Sequence, residues 1–140
     1  MRGVALMAAL ALVACSGART ANSQNSAPPS AVEAARFLSQ ASFGATDAEI
    51  SRVRASGYSQ WIDQQMVAPS QSHLAELDRR LGGAAANAFD FHYSFWKQSV
   101  ASPDQLRQRM KLALSEIFVI SMNDSNVDER GAASYYDMLG

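Results

Sequence analysis

Asp124-Ser125-Asn126-Val127-Asp128 places three oxygen-bearing side chains at alternate positions. A calcium loop uses this D-x-N-x-D spacing, because alternate short side chains can converge on one hard cation. The sequence departs from the full pattern. Glu129 stands where such a loop needs glycine for its sharp turn, and Tyr135 where it needs a bidentate Glu. Asp124, Asn126 and Asp128 are therefore either an incomplete cation site or a polar loop of turn-forming residues.

A second set lies just before it. Arg107, Arg109 and Glu116 decorate one long helical pattern, with Arg109 and Glu116 two turns apart on one side. Three readings stand: an internal ion pair, a solvated face, or part of a binding site completed by a further portion of the chain. An ion pair taken out of water must recover its desolvation cost through good geometry.

The two histidines, His73 and His92, have no Cys, His or carboxylate at ligand spacing. His92 lies among aromatic residues and reads as a packed core histidine. The chain has no Gly-rich phosphate loop, no G-x-S-x-G elbow and no H-E-x-x-H. No cofactor is implied. A Ser-His-Asp set can still assemble in space, because such sets need no sequence proximity. Nothing in the spacing supports one.

The remaining reactive residue is Cys15, the one cysteine of the chain. Met1-Arg2 gives a positive start, and Val4 to Ala14 is apolar and uncharged. That run is too short to span a bilayer, which takes about 20 apolar residues. It fits the apolar core of an export signal, residues 1–14. Leu12-Val13-Ala14-Cys15 resembles the bacterial lipobox, which implies cleavage before Cys15 and a diacylglycerol on its thiol. An ordinary signal cut after Ala18 is the alternative. With Cys15 as the anchor, no thiol is left for a disulfide. Ser16, and not Asp, follows the cysteine, and by resemblance to enterobacterial sorting this implies the outer membrane. Small polar residues then run to Ser30 and read as a tether, since they cannot bury enough surface to fold.

These groups need elements to hold them. Ser30-Ala31-Val32-Glu33 and Thr46-Asp47-Ala48-Glu49 are capping boxes, so helices should run to about Ala41 and to Gly57. Ser59 should open a helix bearing Trp61, Ile62 and Met66, and Ser72 one bearing Leu74, Leu77 and Leu81 before Gly82-Gly83. A helix over about 86–101 carries Phe89, Tyr93, Trp96 and Val100 on one stripe, with Phe91 and Phe95 opposite. Apolar residues on two sides predict a sandwiched helix. Ser102-Pro103-Asp104-Gln105 should start a last long helix reaching about Ser121, with Leu106, Met110, Ala113, Leu114 and Ile117 facing the core. No segment alternates polar and apolar residues. The fold class is all-α, with one helical domain over 31–140. Formal net charge is −1 and the basic residues are scattered, which gives nucleic-acid binding no support.

Three phrases in order, "AARFLSQASFGATDAEI", "SPDQLRQRMKLALSEIFVIS" and "GAASYYDMLG", resemble the bacterial domain-of-unknown-function family numbered 1800. The resemblance covers residues 34–140. It implies an exported, helical protein and supplies no activity or catalytic residues to carry over. It also implies a longer chain, because relatives continue past the Tyr-Tyr-Asp phrase. Two functions remain open. One is a lipid-anchored envelope module with a protein or polymer partner. The other is the N-terminal part of an exported hydrolase-like enzyme.

Overall fold

A computed structural model describes residues 27–122, 124 and 126–140. The export signal, Cys15 and most of the tether lie outside the described residues. Seven helices and no strand occur among the described residues, so the domain is all-α. They are α1 (Ala31–Ala41), α2 (Asp47–Ser56), α3 (Tyr58–Val67), α4 (His73–Leu81), α5 (Ala88–Ala101), α6 (Gln105–Ser115) and α7 (Glu129–Met138).

The caps explain most of the starts. Ser30 and Glu33 form the reciprocal capping box of α1. Thr46 caps α2 and Ser72 caps α4, each through its hydroxyl. α4 ends on Gly82 in the left-handed region, which glycine adopts without a Cβ penalty. α3 begins one residue earlier than Ser59 predicts. Gly57, at φ 81°, turns the chain in a single residue and serves as both the end of α2 and the start of α3. α5 starts at Ala88 under a capping box of Asn87 and Asp90, not at residue 86.

The largest boundary difference is α6. It starts at Gln105 with Asp104 as N-cap, and Ser102 instead ends α5. It stops at Ser115, six residues short of Ser121. The run Ile117-Phe118-Val119-Ile120 leaves the helix. Its β-branched side chains are stiff at χ1 and support a helix poorly.

α1, α2 and α3 pack in sequence around Ala34, Leu38, Val53 and Trp61. α4, α5 and α7 pack around Leu77, Phe91, Ala133 and Tyr136. α6 joins the two groups, touching α1 and α3 on one side and α5 and α7 on the other. Leu106 reaches the first cluster. The rest of α6 departs from expectation. Its buried residues are Gln108 and Lys111, whereas Met110 and Ala113 face outward, and Ile117, beyond its end, is exposed. The seam between the two helix groups is polar, and it claims the polar side of α6.

α5 also differs from the sandwich its pattern predicts. Phe91 is buried and Phe95 half-buried, but Phe89 is 68 % exposed, Trp96 62 % and Val100 80 %. One side of the helix makes the core, and the other is an open aromatic stripe.

Candidate functional site

The polar seam is built from four helices. Asp104, Gln108 and Lys111 recur at i, i+4 and i+7, so they form one stripe along the start of α6. His73 opens α4, Ser94 lies in the middle of α5, and Asp137 sits near the end of α7. His73, Ser94 and Asp104 are fully enclosed, and Lys111 nearly so.

Hydrogen bonding fixes the state of the histidine. The Gln108 amide nitrogen donates to the Asp104 carboxylate at 3.2 Å and to the Gln71 carbonyl at 3.4 Å. The Gln108 carbonyl oxygen therefore faces His73 Nε2, at 3.2 Å. An oxygen there can only accept, so Nε2 carries the proton. Nδ1 is then an acceptor, and the Ser94 hydroxyl, 3.0 Å away, donates to it. Burial lowers the His73 pKa to about 4, with the Asp137 carboxylate opposing that shift. The ring is neutral at pH 7. Tyr136 meets it edge-on, with ring centroids 5.0 Å apart.

A hydroxyl donating to a neutral imidazole is the alignment that activates a serine nucleophile. Here neither Ser94 nor His73 has solvent-accessible surface. No substrate can reach the pair in this arrangement, and its effect is to hold α4 against α5. Asp104 extends the network. It accepts from the Ser102 hydroxyl and from the Gln71 N–H, tying the α5–α6 corner to the segment before α4.

Asp137 closes the other end. It accepts from the N–H groups of His73 (2.9 Å) and Leu74 (3.1 Å) and from the Ser72 hydroxyl (2.7 Å). A residue of α7 thereby satisfies the free donors at the start of α4, where the helix dipole also favours a negative charge. Lys111 Nζ donates to the same carboxylate at 3.1 Å and to the Gln71 carbonyl at 3.0 Å. Burial alone would raise the Asp137 pKa. The His73 N–H, the Ser72 hydroxyl, the Leu74 N–H and Lys111 outweigh it and hold the carboxyl below its usual range.

The residues singled out from the sequence lie elsewhere. Arg107 donates to the Gly140 carbonyl at 2.6 Å and stands 3.7 Å from Asp104. Arg109 lies over the Phe43 ring, 5.6 Å from its centroid. Glu116 is exposed at the end of α6. Among the described residues no ion pair joins Arg109 to Glu116, and the three do not converge on one point. Asp124 accepts from the backbone and side-chain nitrogens of Asn126, both at 2.9 Å, and the first of these lowers its pKa most. Asp128 is the N-cap of α7. Among the described residues no three His, Cys, Asp or Glu side chains are gathered closely enough to hold a metal ion.

The expectation of a core position for His92 is not met. His92 is exposed, and His73 is the core histidine. Asp90 is buried, and the i, i+2 spacing from it puts His92 on the outer side of α5, whereas His73 gains its place from a helix start packed under α7. The polar stripe Asp104, Gln108, Lys111 is present in the sequence with the same helical period as the apolar stripe Leu106, Met110, Ala113 and Ile117.

Outside the seam, the open surface of α5 dominates. Phe89, Tyr93 and Trp96 lie on one side, and the Arg80 guanidinium covers Tyr93 at 3.9 Å from its ring centroid. Ile117, Phe118 and Val119 are also exposed on the segment after α6. Among the described residues no helix is long and apolar enough to cross a membrane.

Seven helices arranged about an enclosed polar seam define a helical domain with no open catalytic set among the described residues. The family model described as protein of unknown function (DUF1800) matches residues 36–140, and the chain belongs to that family. No curated protein matches the chain, and no solved structure matches it.

Proposed function

We propose that this chain is exported, held at the bacterial envelope by a diacylglycerol on Cys15, and acts there as an interaction module whose contact surface is the outer side of α5. The observation that carries the reading is the exposure of Phe89, Tyr93, Trp96 and Val100 along one continuous stripe. A patch of exposed aromatic rings on a folded domain marks a surface that another molecule covers. The Ser94–His73 pair is, by contrast, sealed in the seam. The lipobox-like sequence before Cys15 supports the anchor, and the polar run to Ser30 supports a tether that lets the domain stand off the headgroups. The partner is a protein or polymer of the envelope with an apolar face. An exported hydrolase is the second reading. The Ser94–His73 bond favours it, and it requires that pair to open.

A photo-crosslinking side chain placed at position 96, in cells, tests the contact surface. Discrete adducts should form from position 96 and not from position 63, exposed on α3. Trp96→Ser should leave the unfolding free energy nearly unchanged, within about 0.5 kcal/mol, because the ring is mostly outside the core. Equal labelling from both positions would remove α5 as the contact.

A further inference from the structure

The polar run after Cys15 joins the domain at the corner between α2 and α3. Arg54, near the end of α2, donates from Nε to the Pro29 carbonyl at 3.3 Å. Ala27, Pro28 and Pro29 wall one groove with Arg54, Gly57 and Tyr58. The point of entry therefore lies beside the start of α3.

From that corner an apolar line runs along α3. Tyr58, Ile62 and Met66 recur every four residues, so they share one flank of the helix, about 12 Å long. All three are exposed, Met66 to 66 %. The inner side of α3 is committed elsewhere. Trp61 packs in the first cluster, and Gln65 donates to the Pro103 carbonyl at 3.2 Å and accepts from the Leu106 N–H at 3.1 Å. The exposed flank has the order of a bilayer interface. Two aliphatic side chains lie away from the corner, and a tyrosine, apolar with a polar tip, lies at it. The Arg54 guanidinium beside the tyrosine has no carboxylate partner among the described residues, and anionic headgroups attract such a cation.

We propose that this flank of α3 rests on the lipid surface, with Ile62 and Met66 at the acyl boundary, Tyr58 at headgroup level and Arg54 among anionic headgroups. The inference rests on the diacylglycerol proposed for Cys15. Whatever its path, the chain from Cys15 to Pro29 spans at most about 50 Å. So short a linker holds the corner at an effective concentration in the millimolar range, which keeps a flank of weak affinity seated. α3 packs against α2 and α6 and not against α5, so the aromatic stripe of α5 is a separate surface.

The full chain is purified from bacteria fed radiolabelled palmitate and reconstituted in phosphatidylethanolamine vesicles with a minor share of phosphatidylglycerol. A fluorescent amino acid stands at position 66 or, as the comparison, at position 119, which is likewise exposed. Nitroxides on the acyl chains quench only what touches them. Quenching at position 66 should exceed that at position 119 severalfold. Ile62→Gln keeps a good helix former at an exposed site, so it should lower the quenching at position 66 with the helical melting curve close to that of the wild type. A chain that takes up no palmitate would overturn the anchor and this orientation with it. A labelled chain quenched equally at positions 66 and 119 would overturn the orientation alone.

Discussion

Asp137→Ala should cost the domain about 3–5 kcal/mol, the range for removing one partner of a buried charge pair. Three losses combine. Lys111, 1 % exposed, would keep its charge with only the Gln71 carbonyl beside it. The N–H groups of His73 and Leu74 would lose their acceptor at the start of α4. The contact between α4 and α7 would lose its buried polar part, leaving Leu77, Ala133 and Tyr136 and the outer Arg130–Asp78 pair at 2.9 Å to hold it. Domains of ordinary stability hold about 5–15 kcal/mol in total, so the variant should be close to unfolding at room temperature. Urea unfolding followed by helical circular dichroism measures this directly. Adding Lys111→Met to Asp137→Ala should recover part of the loss, because the uncompensated charge is gone. A cost below about 1 kcal/mol for Asp137→Ala would show that the pair does not hold the seam together.

Acid should weaken the domain well above the carboxylate range, through His73. Its folded pKa of about 4 lies below the ordinary value of 6.5, so the unfolded chain takes up the proton first. The associated stability is complete above about pH 6.5 and is lost as pH falls from there to about 4. At about 1.4 kcal/mol per pKa unit the loss is about 3 kcal/mol. Asp137 acts in the same direction at lower pH, since its depressed pKa protects the folded state until the carboxyl protonates. The charged groups facing the ring are Asp137, Lys111 and Asp104, and burial outweighs the two carboxylates. Unfolding free energies at intervals between pH 7.5 and 4, for wild type and His73→Gln, separate the contribution. The wild type should lose stability across that range, and His73→Gln should be nearly flat down to the carboxylates. Parallel curves would place the acid sensitivity elsewhere.

Local signals carried much of this fold. Ser30, Thr46 and Ser72 cap the helices their neighbours announce, because a cap is decided by four or five adjacent residues. Gly57 and Gly82 end helices for the same local reason. The seam was not legible. Asp104, Gln108 and Lys111 form a polar stripe with helical period, and a polar stripe ordinarily faces water. Only the approach of Gln71, Ser72 and His73 from α4, and of Asp137 from α7, makes it an interior. The aromatic stripe of α5 failed in the opposite sense, since periodicity identifies a side of a helix and does not say what covers it. The family membership was legible because its phrases stand in order across the domain, and the match over residues 36–140 bears it out.

Anchoring at the envelope depends most directly on Cys15. A diacylglycerol brings two acyl chains, each CH₂ contributing about 0.8 kcal/mol on burial, and two chains give stable anchoring where one does not. Radiolabelled palmitate incorporation with membrane fractionation, for wild type and Cys15→Ser, measures it. The wild type should take up label and sediment with membranes. The mature-size Cys15→Ser product should carry no label and leave the membrane fraction, while uncleaved precursor stays bound through its signal helix. An unlabelled wild type, or a mature N-terminus beginning after Ala18, would contradict the account and make the chain a secreted one.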